Sequence, residues 1–196
     1  DGTRIARLRD AVEMVIYTPG STSGIGLSIM RSFAVPPPEL LADGELLAER
    51  IASSVTALLT LVGLDADPVR SRDHILLSTI IGAAWRNGED LDLGSLIHRI
   101  QTPPVTRIGV LDLEAFYPAK ERFGLAAQLN GLLAAPGFAS WLEGEPLDVD
   151  RMLYTPSGKP RIAIVSIAHL GDAERMFIVS MLLNQVLGWV GIEWPR

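Results

Sequence analysis

The chain has 196 residues, a net charge of −6, a pI near 5.1 and a mean hydropathy of +0.27, enough apolar material for one domain with a sizeable core. The acidic balance excludes a general nucleic-acid or membrane surface, and the absence of cysteine excludes a disulfide scaffold, a thiolate zinc site and a cysteine nucleophile. No apolar run reaches the roughly 18–20 residues of a membrane span, and DGTRIARLRD is not a secretory leader, so the expected location is cytoplasmic.

The opening lacks Met, as expected of a piece cut from a longer chain. Glu13 to Tyr17 reads as a short strand ended by Thr18-Pro19-Gly20. Leu27 to Phe33 is expected to make one or two helical turns, which Pro36, Pro37 and Pro38 stop. From about Leu46, apolar residues recur at spacings of three and four through Val62, with Gly63 at the C-terminal end. Asp67-Pro68 is expected to start the next helix, with Ile75, Leu76, Ile80, Ala83 and Ala84 on its buried side and an end near Asn87-Gly88. Asp92 caps a shorter helix through Ile100, stopped by Pro103-Pro104. A helix is expected from Pro118 or Ala119 to about Leu133, one more turn over Phe138–Leu142, and a short helix over Leu147–Leu153.

The pattern then returns to strand. Arg161 to Ala168, RIAIVSIA, has the composition of a strand buried on both faces. Asp172 is read as the N-cap of the apolar helix Met176–Val190; with Arg175 at the third helical position, the carboxylate half of a capping box is then missing. The predicted fold is mostly α with a few strands. Core strands near 13–18 and 161–168 flank a helical insertion, giving segments 1–35, 36–160 and 161–196, expected as a single compact unit.

TPGSTSGIG, Thr18 to Gly26, spells the G-x-x-x-G-x-G of a short-chain dehydrogenase. That site needs a long helix after the glycines and a second strand ending in an acid for the ribose. Pro36–Pro38 cut the helix short, and the next segment is helical. The catalytic Y-x-x-x-K is also missing: Lys120 follows Tyr117 by three residues and Lys159 follows Tyr154 by five. A P-loop fails as well, because no Lys occurs in the first 119 residues and Gly158-Lys159 is followed by Pro160. The glycines are therefore read as an irregular turn after a strand.

Other chemistry is sparse. His74, His98 and His169 form neither H-x-x-x-H nor H-E-x-x-H. Asp112 and Glu114 are separated by Leu113, unlike the adjacent acids of a Walker B strand, and Asp112 is read as a cap or turn acid. Ser21, Ser23 and Ser166 have no visible triad partners. Trp85, Trp141, Trp189 and Trp194 lack interleaved basic residues and are read as packing groups.

Four stretches, IYTPGSTSGIGLSIMRSF, LVGLDADPVRSRDHILLS, the run from GVLDLEAFYPAK to LEGEPLD, and LYTPSGKPRIAIVSIAHLGDAERMFIVSMLLNQVLGW, together resemble a group of bacterial ATP-binding proteins related to the HerA/FtsK DNA-translocating ATPases. They cover most of the chain from Ile16 to Trp189. The resemblance implies a RecA-like P-loop ATPase core with a helical insertion, of which this chain is an interior segment. Walker A would lie before residue 1 and Walker B after the helix ending near Trp189. GIEWPR departs from the expected continuation. No catalytic or cofactor-binding residue and no metal ligand transfers to this chain, and ATP and Mg are implied only for the full-length family protein.

One segment, AHLGDAER, follows a core strand where α/β sites form. Its His169, Asp172 and Arg175 are candidates for an inter-subunit contact, with Arg175 facing a neighbour's nucleotide as an arginine finger. The alternative is a surface arginine bonded to Asp172 or Glu174. The expected partners are a second copy or the rest of a larger ATPase. A non-enzymatic helical interaction or oligomerisation module is the competing reading.

Overall fold

The computed structural model describes residues 2–28 and 33–193. Gly2–Ala11 (α1) is a helix with no buried side chain, and it leads into Glu13–Tyr17 (β1). Leu27–Ser28 (β2) is a strand where a helical turn is predicted. The difference is long-range: Leu27 is fully buried and pairs with Glu145, and no local pattern encodes that partner. Phe33 bridges Leu91, while residues 29–32 of the predicted turn lie outside the described residues.

The helical part follows in order: Pro38–Ala42 (α2), Gly44–Leu61 (α3), Arg72–Arg86 (α4) and Leu93–Gln101 (α5). Asp43 caps α3 by accepting from the amides of Glu45 and Leu46, both at 3.0 Å, and Asp92 caps α5 through the Ser95 amide at 2.6 Å. The helix expected from Asp67-Pro68 begins later. Asp67 accepts from the Val69 and Arg70 amides and closes a turn, and Ser71 then caps α4. A two-strand hairpin, Arg107–Ile108 (β3) and Leu111–Asp112 (β4), precedes Leu113–Phe116 (α6) and Ala119–Ala134 (α7). A single 3-10 turn at Pro136–Phe138 runs into Ala139–Leu142 (α8). Glu145–Pro146 (β5), Val149–Leu153 (α9), Arg161–Val165 (β6) and Asp172–Glu193 (α10) complete the order.

The fold is mostly α with a few strands. β1 and β6 pair in parallel, Glu13 opposite Arg161 and Tyr17 opposite Val165, and β2 pairs in parallel with β5. α10 packs on α3, α3 on α4, and α5 on α7, and one apolar cluster extends from Val15 to Met181.

β6 differs from its predicted burial on both faces. Ala163 and Val165 join Val15 and Tyr17 on the core side, whereas Ile162 and Ile164 lie outside. They share that outer face with Met14 and Ile16, their register partners, which are 56% and 53% exposed. α10 carries a second exposed apolar stripe, Met176, Val179, Leu183, Leu187 and Val190, at helical spacing. Its start also sits one residue earlier than predicted. Asp172 is the first helical residue, and Glu174 accepts from the Gly171 amide at 2.8 Å, so the carboxylate half of a capping box is present.

His74 is buried between α3 and α4. Its Nε2 lies 3.1 Å from Thr56 Oγ1 and 3.3 Å from the Ala52 carbonyl, and its Nδ1 lies 3.2 Å from Ser78 Oγ. Burial holds its pKa below the ordinary value. The unfolded imidazole titrates near ~6.5. As pH falls below that, the unfolded state takes the proton first, so this contribution is complete above the unfolded pKa and shrinks as pH falls toward the lowered folded pKa. Urea midpoints between pH 7.5 and about 5.5 are therefore expected to fall for the wild-type chain and to fall less for His74→Gln.

Candidate functional site at the strand ends

The carboxyl ends of β1 and β6 open side by side, the position at which parallel α/β sheets build their sites. Two loops meet there, 18–26 and 166–171. The first folds back along its own strand. Thr18 donates its amide to the Ile25 carbonyl at 2.8 Å, and Ile25 returns its amide to Ile16 at 3.1 Å. Thr18 Oγ1 accepts from the Gly24 amide at 2.9 Å, and Ser21 Oγ accepts from the Ser23 amide at 3.2 Å. The Ser21 amide bonds the Thr18 carbonyl at 3.0 Å.

The amides of Ser21, Ser23, Gly24 and Ile25 are thus committed inside the loop and do not converge on a common anion. The glycines serve close approach instead. Gly20 has φ +67°, and a Cβ there would lie 2.6 Å from Trp141 Nε1 and Cε2; at Gly24 it would lie 3.0 Å from the Ile16 carbonyl. Trp141 in turn meets the Phe177 ring edge-on at 6.4 Å, which ties the loop to α8 and α10.

The second loop carries the three residues singled out in the sequence. Ser166 extends the sheet ladder by donating its amide to the Tyr17 carbonyl at 2.9 Å. His169 Nε2 lies 2.9 Å from the Pro19 carbonyl, so an Nε2–H donor links the two loops. Arg175 donates Nε to the Ile167 carbonyl at 3.2 Å, Nη2 to the Ala168 carbonyl at 2.9 Å, and Nη1 to Asp172 at 3.4 Å. His169, Asp172 and Arg175 therefore share one turn, and the guanidinium braces the loop that bears it. An arginine-finger role requires those bonds to be exchanged for a neighbour's phosphate.

The same two strands also contribute to a second cluster, which the sequence did not reveal. Arg161 pairs with Glu13 at 2.8 Å and also donates to the Arg151 carbonyl at 2.8 Å. The buried Tyr17 hydroxyl reaches Glu145 at 3.3 Å, and its pKa is raised by burial and by that carboxylate. Glu145, Arg151, Tyr154 and Arg161 line an open cleft of about 570 Å³. These groups come from four segments, so spacing carries no signal for them. Arg50 differs from them: it interrupts the apolar face of α3, and that interruption is a signal the sequence does carry.

Among the described residues, no group of three or more His, Asp or Glu is arranged to hold a metal ion, and no helix is long and apolar enough to cross a membrane. Comparison with protein-family models, curated proteins and solved structures finds no match to this chain.

Proposed function

We propose that the chain is an internal segment of a HerA/FtsK-like DNA-translocating or remodelling ATPase, without catalysis of its own. The observation that carries this reading is the β1–β6 pair. Two parallel strands flank the helical insertion, α2 to α9, in sequence, yet their outer face is apolar and uncovered at Met14, Ile16, Ile162 and Ile164. Parallel sheets are ordinarily covered on both faces, and a two-stranded sheet is marginal alone. Further elements of a RecA-like core would cover that face. In this reading the P-loop, ATP and Mg belong to those other elements, and His169, Asp172 and Arg175 face a neighbouring subunit.

Calorimetry with Mg·ATP is expected to give no saturable binding to this chain. A longer product of the same reading frame is expected to bind and hydrolyse ATP. Saturable ATP binding by this chain alone, or a reading frame that adds no P-loop, overturns the proposal. A stand-alone oligomerisation module is favoured by one separate feature, the exposed stripe on α10. That reading requires a stable oligomer in light scattering, dispersed by Leu183→Glu; a monomer rules it out.

A further inference from the structure

Arg50 is a cation on the inside of α3. It shares a face with Leu47, Ile51, Ser54 and Val55 and is only 9% exposed. Its Nη1 donates to the Asn184 carbonyl of α10. Gly188 makes the approach possible, since a Cβ there would sit 3.2 Å from that Nη1. Among the described residues, Nε and Nη2 have no acceptor, and neither is sealed from solvent. Among the described residues, no carboxylate forms an ion pair with Arg50.

The residue lines two clefts, of about 350 and 130 Å³. The larger is walled by Pro37, Leu147, Val149 and Trp189, with Asp148, Asp150 and Arg151 beside them. Both acids are engaged elsewhere. Asp148 caps α9 through the Arg151 amide at 3.3 Å and lies 3.8 Å from the Arg151 guanidinium, and Asp150 accepts from Trp189 Nε1 at 2.6 Å. A guanidinium keeps its charge, and burying it without a counter-ion is costly. Burial also lowers the Arg50 pKa, consistent with an uncompensated charge.

We propose that this cleft binds a small monoanionic carboxylate carried on an apolar body. With Nη1 held by Asn184, the Nε–Nη2 edge remains, and that edge presents two parallel donors matched to a carboxylate. Leu147, Pro37 and the Trp189 ring receive the apolar body. The lining charges of Arg50, Arg151, Asp148 and Asp150 sum to zero, so one ligand charge is matched by Arg50 and a second has no free partner, which selects against phosphate. The site does not depend on the proposed ATPase reading.

The test follows the Trp189 indole N–H in NMR during titration of the full chain with benzoate, benzamide and inorganic phosphate. Benzoate is expected to shift the signal saturably, phosphate less, and neutral benzamide hardly at all. Arg50→Met, which removes a buried charge and keeps an apolar stem, is expected to fold and to bind benzoate at least about tenfold more weakly. Arg50→Lys keeps the charge but loses the planar edge; an intermediate affinity is expected, and it supplies the comparison should the Met variant not fold. The proposal fails if benzoate and benzamide titrate alike, if the folded variants bind benzoate as the wild type does, or if benzoate produces no saturable shift by about 10 mM, where even a millimolar site fills.

Discussion

Trp85→Ala is expected to cost about 3–5 kcal/mol, read as a fall in the urea midpoint. Against a total of about 5–15 kcal/mol for a domain, that is a large share. The side chain is 1% exposed at the end of α4, and its Nε1 donates to the Phe33 carbonyl at 2.9 Å. Phe33 is itself buried, and the same carbonyl accepts from the Leu91 amide at 3.2 Å. Removing the indole therefore opens a cavity and loosens the segment that returns the chain from the strands to the helices. Trp85→Phe keeps most of the ring, and Leu91 still satisfies the carbonyl; a loss of about 1–2 kcal/mol is expected. Equal losses in the two variants would show that packing is not the source.

Gly144→Ala is the second large effect. Gly144 has φ +114°, where L side chains are strained, and the conformation alone costs about 1–3 kcal/mol. A Cβ there would also overlap the Gly26 carbonyl group, which is backbone and has no rotamer to yield. The Glu145 amide donates to that carbonyl at 2.9 Å, so the clash strikes the β2–β5 pair directly. Two controls separate the causes. Gly158 has φ +80° with open space around it, so Gly158→Ala reports the conformational cost alone. Gly26 has no positive φ, and its Cβ would meet the Glu143 carbonyl at 3.3 Å, a milder contact. Urea midpoints are expected to fall most at 144; equal falls at 144 and 158 would remove the overlap from the explanation.

What the sequence made legible was local. Asp92 before Leu93, and the three-and-four spacing from Leu47 to Leu59, specify helices through neighbours along the chain, and those helices are found. Where two residues suit one local role, the local pattern pointed to the wrong one, Asp67 in place of Ser71. Asp67 and Ser71 both cap well, and Asp67 is spent on a turn. Glu174 became visible as a capping partner only once the helix start was placed at Asp172. α1 has no inward face and so left no pattern. The candidate site was legible only as a segment. Arg175, Asp172 and His169 lie close in sequence, but the carbonyls that hold Arg175 and His169 are backbone groups with no sequence signature. The burial of RIAIV was misread because composition reports what a strand tolerates, not what covers it.

The β1–β6 pair also has a kinetic consequence. Glu13 and Arg161 meet across 148 residues. Loop-closure entropy grows only slowly with length, by about 0.6 kcal/mol per doubling, but it precedes any gain from the contact. The helix pairs α3–α4 and α5–α7 close far shorter loops and are favoured to form earlier. Until they bring the ends together, β6 is a short apolar strand with no partner in its own molecule. The helical insertion thus acts as a timer: the faster it condenses, the shorter the interval in which RIAIV can pair with its counterpart in another chain.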